Sequence, residues 1–88
     1  MPKYLVTVLL ENKKEIDDPE GQTIYRDLIL RGGYNFVLSV QSAKCLKFLI
    51  HAGSKTEAGD QISKMCHDLR IYNPIVSDFR TERIQIVR

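Results

Sequence analysis

The chain has 88 residues, of which 43% are hydrophobic and 27% are charged, and its formal net charge is +2. This length allows one domain with a single small core, and the composition argues against long disordered stretches. The 13 basic residues are spread along the chain, which argues against a nucleic-acid binder, because such proteins concentrate basic residues on one face. No apolar run approaches the roughly 18 residues of a membrane span, and the N-terminus lacks a secretory pattern. We therefore expect a cytoplasmic protein with one domain, residues 1–88, and two reduced, largely buried cysteines, Cys45 and Cys66.

The chain opens with a predicted strand and a polar connection. Residues 3–10 place apolar side chains on both alternating faces, which is typical of a central strand or of one at a dimer interface. The stretch EIDDPEGQTI, residues 15–24, comes next. Within it, Asp18 suits a helix N-cap and Pro19 suits the first helical position. Gly21 has no evident helical purpose, because glycine lowers helix propensity by about 1 kcal/mol relative to alanine.

A first helix and two strands are predicted in the middle of the chain. Apolar residues recur at helical spacing from Ile24 onward, and Gly32 and Gly33 are suited to end that helix. Residues 36–44 and 46–50 then alternate between apolar and other side chains, as strands do. The short QSAK segment between these runs predicts a turn, so we expect an antiparallel hairpin.

The second helix is the clearest predicted element, because its apolar residues form a core-facing stripe. The members of this stripe are Ala58, Ile62, Met65, Cys66 and Leu69. Ser54 or Thr56 is suited to cap its start. Asn73 and Pro74 are predicted to end the helical region, since a proline disfavours helix for the residue before it. A last strand is predicted over residues 79–87.

These elements follow the order β-α-β-β-α-β, and no short repeat or low-complexity segment interrupts them. The simplest arrangement that buries one face of each element is a two-layer domain. We therefore expect an α+β fold with a mainly antiparallel four-stranded sheet and two helices packed on one face.

No group of residues predicts catalysis, a metal ion or a phosphate. Cys66 and His67 are adjacent on the second helix and point about 100° apart, so they do not converge on one ion. The serines lack a G-x-S-x-G context, and neither phosphate-binding glycine motif occurs. Four carboxylates crowd one loop, which is typical of a solvated loop: Glu11, Glu15, Asp17 and Asp18. We expect a non-catalytic module that holds no metal or cofactor.

Three stretches, VTVLLENKKEIDDPEGQTI, GGYNFVLSVQSAK and MCHDLRIYNPIVSDF, together resemble the PurS family in order and spacing. PurS is the small subunit of phosphoribosylformylglycinamidine synthase in de novo purine biosynthesis. The resemblance covers nearly the whole chain. Its most specific pieces are the D-P-x-G of Asp18, Pro19 and Gly21, the G-Y of Gly33 and Tyr34, Lys44, and the C-x-x-L…N-P of Cys66, Leu69, Asn73 and Pro74.

The chain departs from the family pattern at three positions. Where the family typically has V-R-x-G-K, this chain has Gln41 in place of the arginine and Ala43 in place of the glycine. Ser77 stands where the family typically has a glutamate before Asp78. Any role that depends on charge at positions 41 or 77 is therefore not carried over.

The resemblance implies an assembly role rather than catalysis by this chain. PurS-like subunits associate with a large synthetase subunit, which uses ATP and magnesium, and with a glutaminase subunit that releases ammonia. The small subunit helps to bring the two together so that ammonia is passed on. The resemblance also implies a homodimer or homotetramer. The candidate partner or interface residues are Asp18, Pro19, Gly21, Lys44, Asn73 and Pro74.

Two other functions remain open for a chain of this topology. One is a small-molecule-sensing regulatory domain, although the long charged loop after the first strand fits poorly with it. The other is RNA binding through the sheet, which usually needs stacking aromatic residues on the central strands. The chain offers only Phe36 and Phe48 there, and both fall on apolar faces typical of a core.

Overall fold

The computed structural model describes all 88 residues, Met1–Arg88. In chain order its elements are β1 (Lys3–Asn12), α1 (Pro19–Thr23), a π-helix that continues α1 (Ile24–Leu30), β2 (Lys44–His51), α2 (Lys55–Asp68) and β3 (Ser77–Val87). None of these helices combines the length and the apolar character needed to cross a membrane.

The three strands form one antiparallel sheet in the order β2-β1-β3. The central position of β1 confirms the expectation drawn from its two apolar faces. Val6 lies opposite Phe48 on one side and opposite Ile84 on the other. A register shift between Thr7 and Val8 marks a bulge in the pairing with β3.

The core lies between one face of the sheet and α2. Val6 and Val8 of β1 are fully buried there, against Ala58, Ile62 and Cys66 of α2. Burying side chains of the size of valine or isoleucine contributes roughly 1.5–3 kcal/mol each, so this small cluster is the main source of stability within the chain. The predicted stripe on α2 is correct for these three residues.

Two other members of the predicted core lie elsewhere. Leu69 is 67% exposed, because it lies past the last turn of α2. Cys45 is exposed on β2, whereas Cys66 is buried, so the expectation of two buried thiols is wrong for Cys45. Strand alternation places Cys45 on the face of the sheet that α2 does not cover.

Both ends of α2 are capped, and its C-terminal end corrects a prediction. Ser54 is the N-cap, and its hydroxyl accepts a hydrogen bond of 3.1 Å from the Glu57 amide. At the other end Arg70 has a φ of 54°, and the Ile71 amide donates to the Cys66 carbonyl at 3.0 Å. This is a Schellman motif with arginine in the position that glycine usually takes. The helix therefore ends at Asp68, before Asn73 and Pro74 rather than at them.

The predicted fourth strand is absent, so the expectation of a four-stranded sheet is wrong. Residues 37–43 pair with no strand, and QSAK forms no turn. The chain passes from this segment directly into β2, and the predicted hairpin does not form. The alternation of side chains in residues 36–44 is typical of a strand. Such alternation does not show whether a neighbouring strand is available to pair with it.

The predicted packing of both helices on the sheet is also wrong. The π-helix has no buried residue, and Gly21 is the only buried residue of α1. These two segments contact each other but neither α2 nor any strand. The chain accordingly measures 52 × 30 × 14 Å, with a radius of gyration of 16.6 Å. A compact chain of this length has a radius of about 12 Å.

A candidate partner-binding groove beside α1 and β2

Asp18 joins the start of α1 to the segment that precedes β2. One of its carboxylate oxygens accepts a hydrogen bond of 3.2 Å from the Gly21 amide, which confirms Asp18 as the N-cap. The same carboxylate accepts a hydrogen bond of 2.5 Å from the Ser42 hydroxyl and another of 2.6 Å from the Ser42 amide. Hydrogen bonds lower the pKa of Asp18 below its ordinary value of 3.8. The bond from the Ser42 hydroxyl has the largest effect, ahead of those from the Ser42 amide and the Gly21 amide. Asp18 is therefore both a helix cap and a tertiary anchor.

Gly21 is required by close approach of the backbone. The residue is buried, and a Cβ built on it would lie 2.7 Å from the Val40 carbonyl oxygen. It would come closer still to the carboxylate of Asp18. A side chain at position 21 would therefore push residues 40–42 away from α1. This contact explains a glycine that helix propensity disfavours.

The end of β1 is tied to the same region by two side-chain amides. The Asn12 side chain donates to the Asp17 carbonyl at 2.9 Å. The Gln41 side chain donates to the Asn12 carbonyl at 3.2 Å. The loop after β1, the start of α1 and the segment before β2 therefore form one connected unit, which we call the α1 junction (residues 12–21 and 40–42).

A groove of about 520 Å³ lies beside the α1 junction. Its polar lining includes Asn12, Glu20, Ser42, Lys44 and Asn73, and Glu20 and Lys44 are its only charged residues. Amides, hydroxyls and one charge of each sign suit the recognition of a polar peptide surface. They do not form a nucleophile with an adjacent base, as covalent catalysis requires.

The turn before β3 forms the other wall of this groove. The side-chain oxygen of Asn73 accepts a hydrogen bond of 3.0 Å from the Ile75 amide. The backbone carbonyl of Asn73 accepts one of 2.8 Å from the Ser77 amide. Tyr72 lines the groove next to Asn73 and stacks on Phe79 of β3, with ring centroids 5.2 Å apart. Asn73 therefore shapes the turn and the wall instead of ending α2.

The six candidate residues from the sequence separate into three groups. Lys44 and Asn73 line the groove, although they lie far apart in the chain. Asp18 and Gly21 lie behind its wall, where Asp18 holds Ser42 and Gly21 allows the backbone at Val40 to approach α1. The two prolines do not line it: Pro19 begins α1, and Pro74 follows Asn73 in the turn.

Sequence reasoning missed Ser42, Asn12 and Tyr72 as parts of this region. Ser42 is 24 residues from Asp18 in the chain. No local pattern marks such a pair, because the serine of a short polar segment looks like an ordinary turn residue. All three departures from the family pattern also meet here. Ala43 and Ser77 line the groove, and Gln41 holds Asn12.

The similarity to known proteins covers nearly the whole chain. The family model described as "PurS: Phosphoribosylformylglycinamidine (FGAM) synthase" matches residues 5–85. The chain belongs to the PurS family. The PurS subunit of phosphoribosylformylglycinamidine synthase from Methanocaldococcus jannaschii is 31% identical over 84 residues, which are 93% of this chain and 99% of that protein.

Solved structures of PurS share the fold. Thermus thermophilus PurS superposes with a TM-score of 0.84 at 28% identity, and 99% of this chain and 100% of that chain are covered. The structure of PurLQS from Thermotoga maritima contains a chain with a TM-score of 0.79 at 23% identity, with 99% and 100% covered. The overall fold of the chain is therefore shared with solved PurS structures.

Proposed function

We propose that this chain is the small, non-catalytic assembly subunit of phosphoribosylformylglycinamidine synthase in purine biosynthesis. The observation that carries this proposal is the match of residues 5–85 to the PurS family. The naming of a PurLQS assembly for the Thermotoga maritima protein supports a complex with a large and a glutaminase subunit. A cytoplasmic location follows from this role, since the pathway operates there.

In this proposal the chain contributes binding surfaces rather than chemistry. The large subunit supplies the ATP and magnesium site, and the glutaminase subunit supplies ammonia. The groove beside the α1 junction is the proposed contact for one of these partners, because its lining is mostly polar and carries one charge of each sign. Lys44 is its one cation, and it suits a carboxylate or a carbonyl of the partner surface.

The candidate residues have different roles in this contact. Lys44 and Asn73 touch the partner directly, whereas the others fix the shape of the groove from behind or beside it. The supporting residues are Asp18, Pro19, Gly21 and Pro74. We also propose that the working unit contains at least two copies of the chain, since no apolar residue of the π-helix is fully buried within one copy.

Reconstitution of the complex tests the assembly role. The full chain is mixed with the large and glutaminase subunits, with glutamine and ADP present, and passed through a sizing column. We expect co-elution, and we expect omission of the chain to abolish glutamine-dependent synthesis while synthesis from free ammonia continues. A chain that stays separate and can be omitted without loss would refute the role.

A matched pair of lysine variants tests the groove. Lys44→Ala removes the cation of the groove, whereas Lys47→Ala removes an exposed lysine of the same strand that does not line the groove. We expect Lys44→Ala alone to weaken co-elution. Equal effects of the two variants would assign the contact to another surface.

Calorimetry of the isolated chain separates assembly from sensing. A small-molecule sensor of this topology binds amino acids or nucleotides by itself. An assembly subunit gives no heat of binding with either. A measurable heat would favour the sensor.

A further inference from the structure

The turn that connects α2 to β3, residues 69–76, begins with a strained residue. Arg70 has a φ of 54° and is the one non-glycine residue of the chain with a positive φ. This conformation brings the Cβ of an L-residue close to the following carbonyl oxygen, so it is unfavourable for arginine and not for glycine. Glycine could also complete the same hydrogen bonds at the end of the helix. Stability of the helix end alone therefore favours glycine at position 70.

Arg70 gains no compensating ion pair within the chain. Its side chain is exposed, and none of the four ion pairs includes it. Asp68, the acidic residue nearest to it in the sequence, is paired with Lys64 at 3.0 Å. Strained backbone of this kind is found most often at functional positions. The arginine at this position therefore points to a charged group outside the chain.

The other end of the turn holds an exposed apolar side chain in a fixed position. Ile75 is 77% exposed. Its amide donates to the Asn73 side chain at 3.0 Å, and the Asn73 carbonyl accepts 3.1 Å and 2.8 Å hydrogen bonds from the amides of Val76 and Ser77. The Val76 carbonyl in turn accepts a hydrogen bond of 3.0 Å from the Lys13 amide at the end of β1. A side chain held in this way loses little conformational entropy when a partner covers it.

Arg70 and Ile75 line the same hollow, which has a volume of about 320 Å³. Its other lining residues are Tyr72 and Asn73, and Arg70 is its only charged residue. Tyr72 and Asn73 also line the groove beside the α1 junction. The hollow therefore adjoins the groove across these two residues, and a protein surface that fills the groove can continue into the hollow.

We propose that this hollow binds an acidic side chain of the subunit that occupies the groove. A guanidinium binds a carboxylate through two parallel hydrogen bonds, so Arg70 holds the carboxylate. Ile75 packs against the apolar stem of the same side chain or against an apolar neighbour. This inference rests on the assembly role in the proposed function, and it adds a second contact with a partner of defined charge.

Replacement of Arg70 by glycine tests the contact, because it should change stability and binding in opposite directions. Each partner subunit is titrated onto the immobilised chain, with glutamine and ADP present, and the urea midpoint is measured in parallel. We expect Arg70→Gly to raise the urea midpoint, since the strain is relieved. We expect the same variant to raise the Kd for one subunit by at least about tenfold and to reduce the dependence of that Kd on salt.

Arg70→Lys separates the bidentate contact from charge alone. This variant keeps the charge and the strained conformation but loses the planar fork, so its Kd should lie between those of the parent chain and Arg70→Gly. A purely structural Arg70 predicts a different result, in which the more stable Arg70→Gly binds at least as tightly as the parent chain. That result overturns the proposal.

Ile75→Ala and Ile86→Ala form a matched pair for the apolar part of the contact. Both isoleucines are exposed, at 77% and 50%, but Ile86 lies at the opposite end of β3. We expect Ile75→Ala alone to raise the Kd by about tenfold, with the urea midpoint unchanged. Equal effects of the two variants overturn the proposed contact.

The outcomes for the parent chain separate this inference from the assembly role. A parent chain that binds neither subunit overturns both. A parent chain that binds a subunit as tightly as Arg70→Gly and Ile75→Ala do overturns the hollow alone. Sedimentation of the isolated chain excludes a second copy as the occupant: if the two variants weaken self-association and leave subunit binding unchanged, the hollow belongs to contacts between copies and the proposal fails.

Discussion

Replacement of Gly21 by alanine tests whether close backbone approach holds the α1 junction together. The added methyl group would lie 2.7 Å from the Val40 carbonyl oxygen. Carbon–oxygen contacts are ordinarily at least about 3.3 Å, so the two segments must separate by roughly 0.6 Å. The carboxylate of Asp18, which also lies in the path of the methyl group, is held by three hydrogen bonds and cannot easily turn aside.

Two opposing effects decide the size of the change. Alanine improves helix propensity by about 1 kcal/mol over glycine. Overpacking of a well-fitted contact costs about 1–3 kcal/mol. We expect the cost to exceed the gain, with a net local loss of about 1 kcal/mol, because the obstructing atom belongs to the backbone of position 40.

Hydrogen exchange at the Ser42 amide measures this loss directly, since that amide donates to Asp18. A loss of 1 kcal/mol accelerates exchange by about fivefold. Gln22→Ala is the control, because Gln22 is an exposed residue next to Gly21 in the same helix. Unchanged or slower exchange in Gly21→Ala would refute the close-approach argument.

Three further predictions follow from the core, the anchor and the thiols. Ile62→Ala should destabilise the chain by about 2–5 kcal/mol, seen as a lower urea midpoint, because Ile62 is 2% exposed between α2 and the sheet. The pKa of Asp18 is lowered in the folded state, so its stabilisation of the junction is present above the ordinary value of 3.8 and is lost as pH falls through the lower folded value. After correction for the intrinsic pH dependence of exchange, the Ser42 amide should therefore lose its protection only when the pH falls below about 3.8. A maleimide should label Cys45 at once and Cys66 only on unfolding, because burial raises the pKa of the Cys66 thiol and blocks access to it.

Each of these predictions has a control within the chain. Ile75→Ala removes an isoleucine that is 77% exposed and should change stability by no more than about 0.5 kcal/mol. Asp17→Asn should preserve the acid dependence, because only the backbone carbonyl of Asp17 accepts a hydrogen bond. Equal losses of stability from the two isoleucine variants would contradict the assigned core. Loss of the acid transition in Asp17→Asn would show that the transition does not belong to Asp18. Rapid labelling of Cys66 in the folded chain would contradict its burial.

Features that depend on neighbouring residues were predictable from the sequence. The alternation of β1, the stripe on α2 and the caps at Asp18 and Ser54 are all decided within a few residues of chain. Helix propensity showed that Gly21 has no evident helical purpose, but only the structure showed the close approach of Val40 that requires it. Membership of the PurS family followed from motifs spread over the chain.

The failed predictions of a fourth strand and of packing of the first helix on the sheet required knowledge of distant partners. Residues 36–44 have the alternation of a strand, yet alternation does not state whether a neighbouring strand exists in the same chain. The end of α2 depends on Arg70 adopting a left-handed conformation, which sequence statistics assign to glycine. The sequence therefore predicted a paired fourth strand and a buried first helix, although a single copy of the chain contains neither.

The groove illustrates the same division. The sequence by itself determined that Asp18 begins a helix and that residues 46–50 form a strand, because capping and alternation are local properties. Only the tertiary structure brought Ser42 onto Asp18, across 24 residues, and placed Asn73 beside Lys44. The physical reason is that hydrogen bonds and packing between distant segments depend on the path of the whole backbone, which no short stretch of residues encodes.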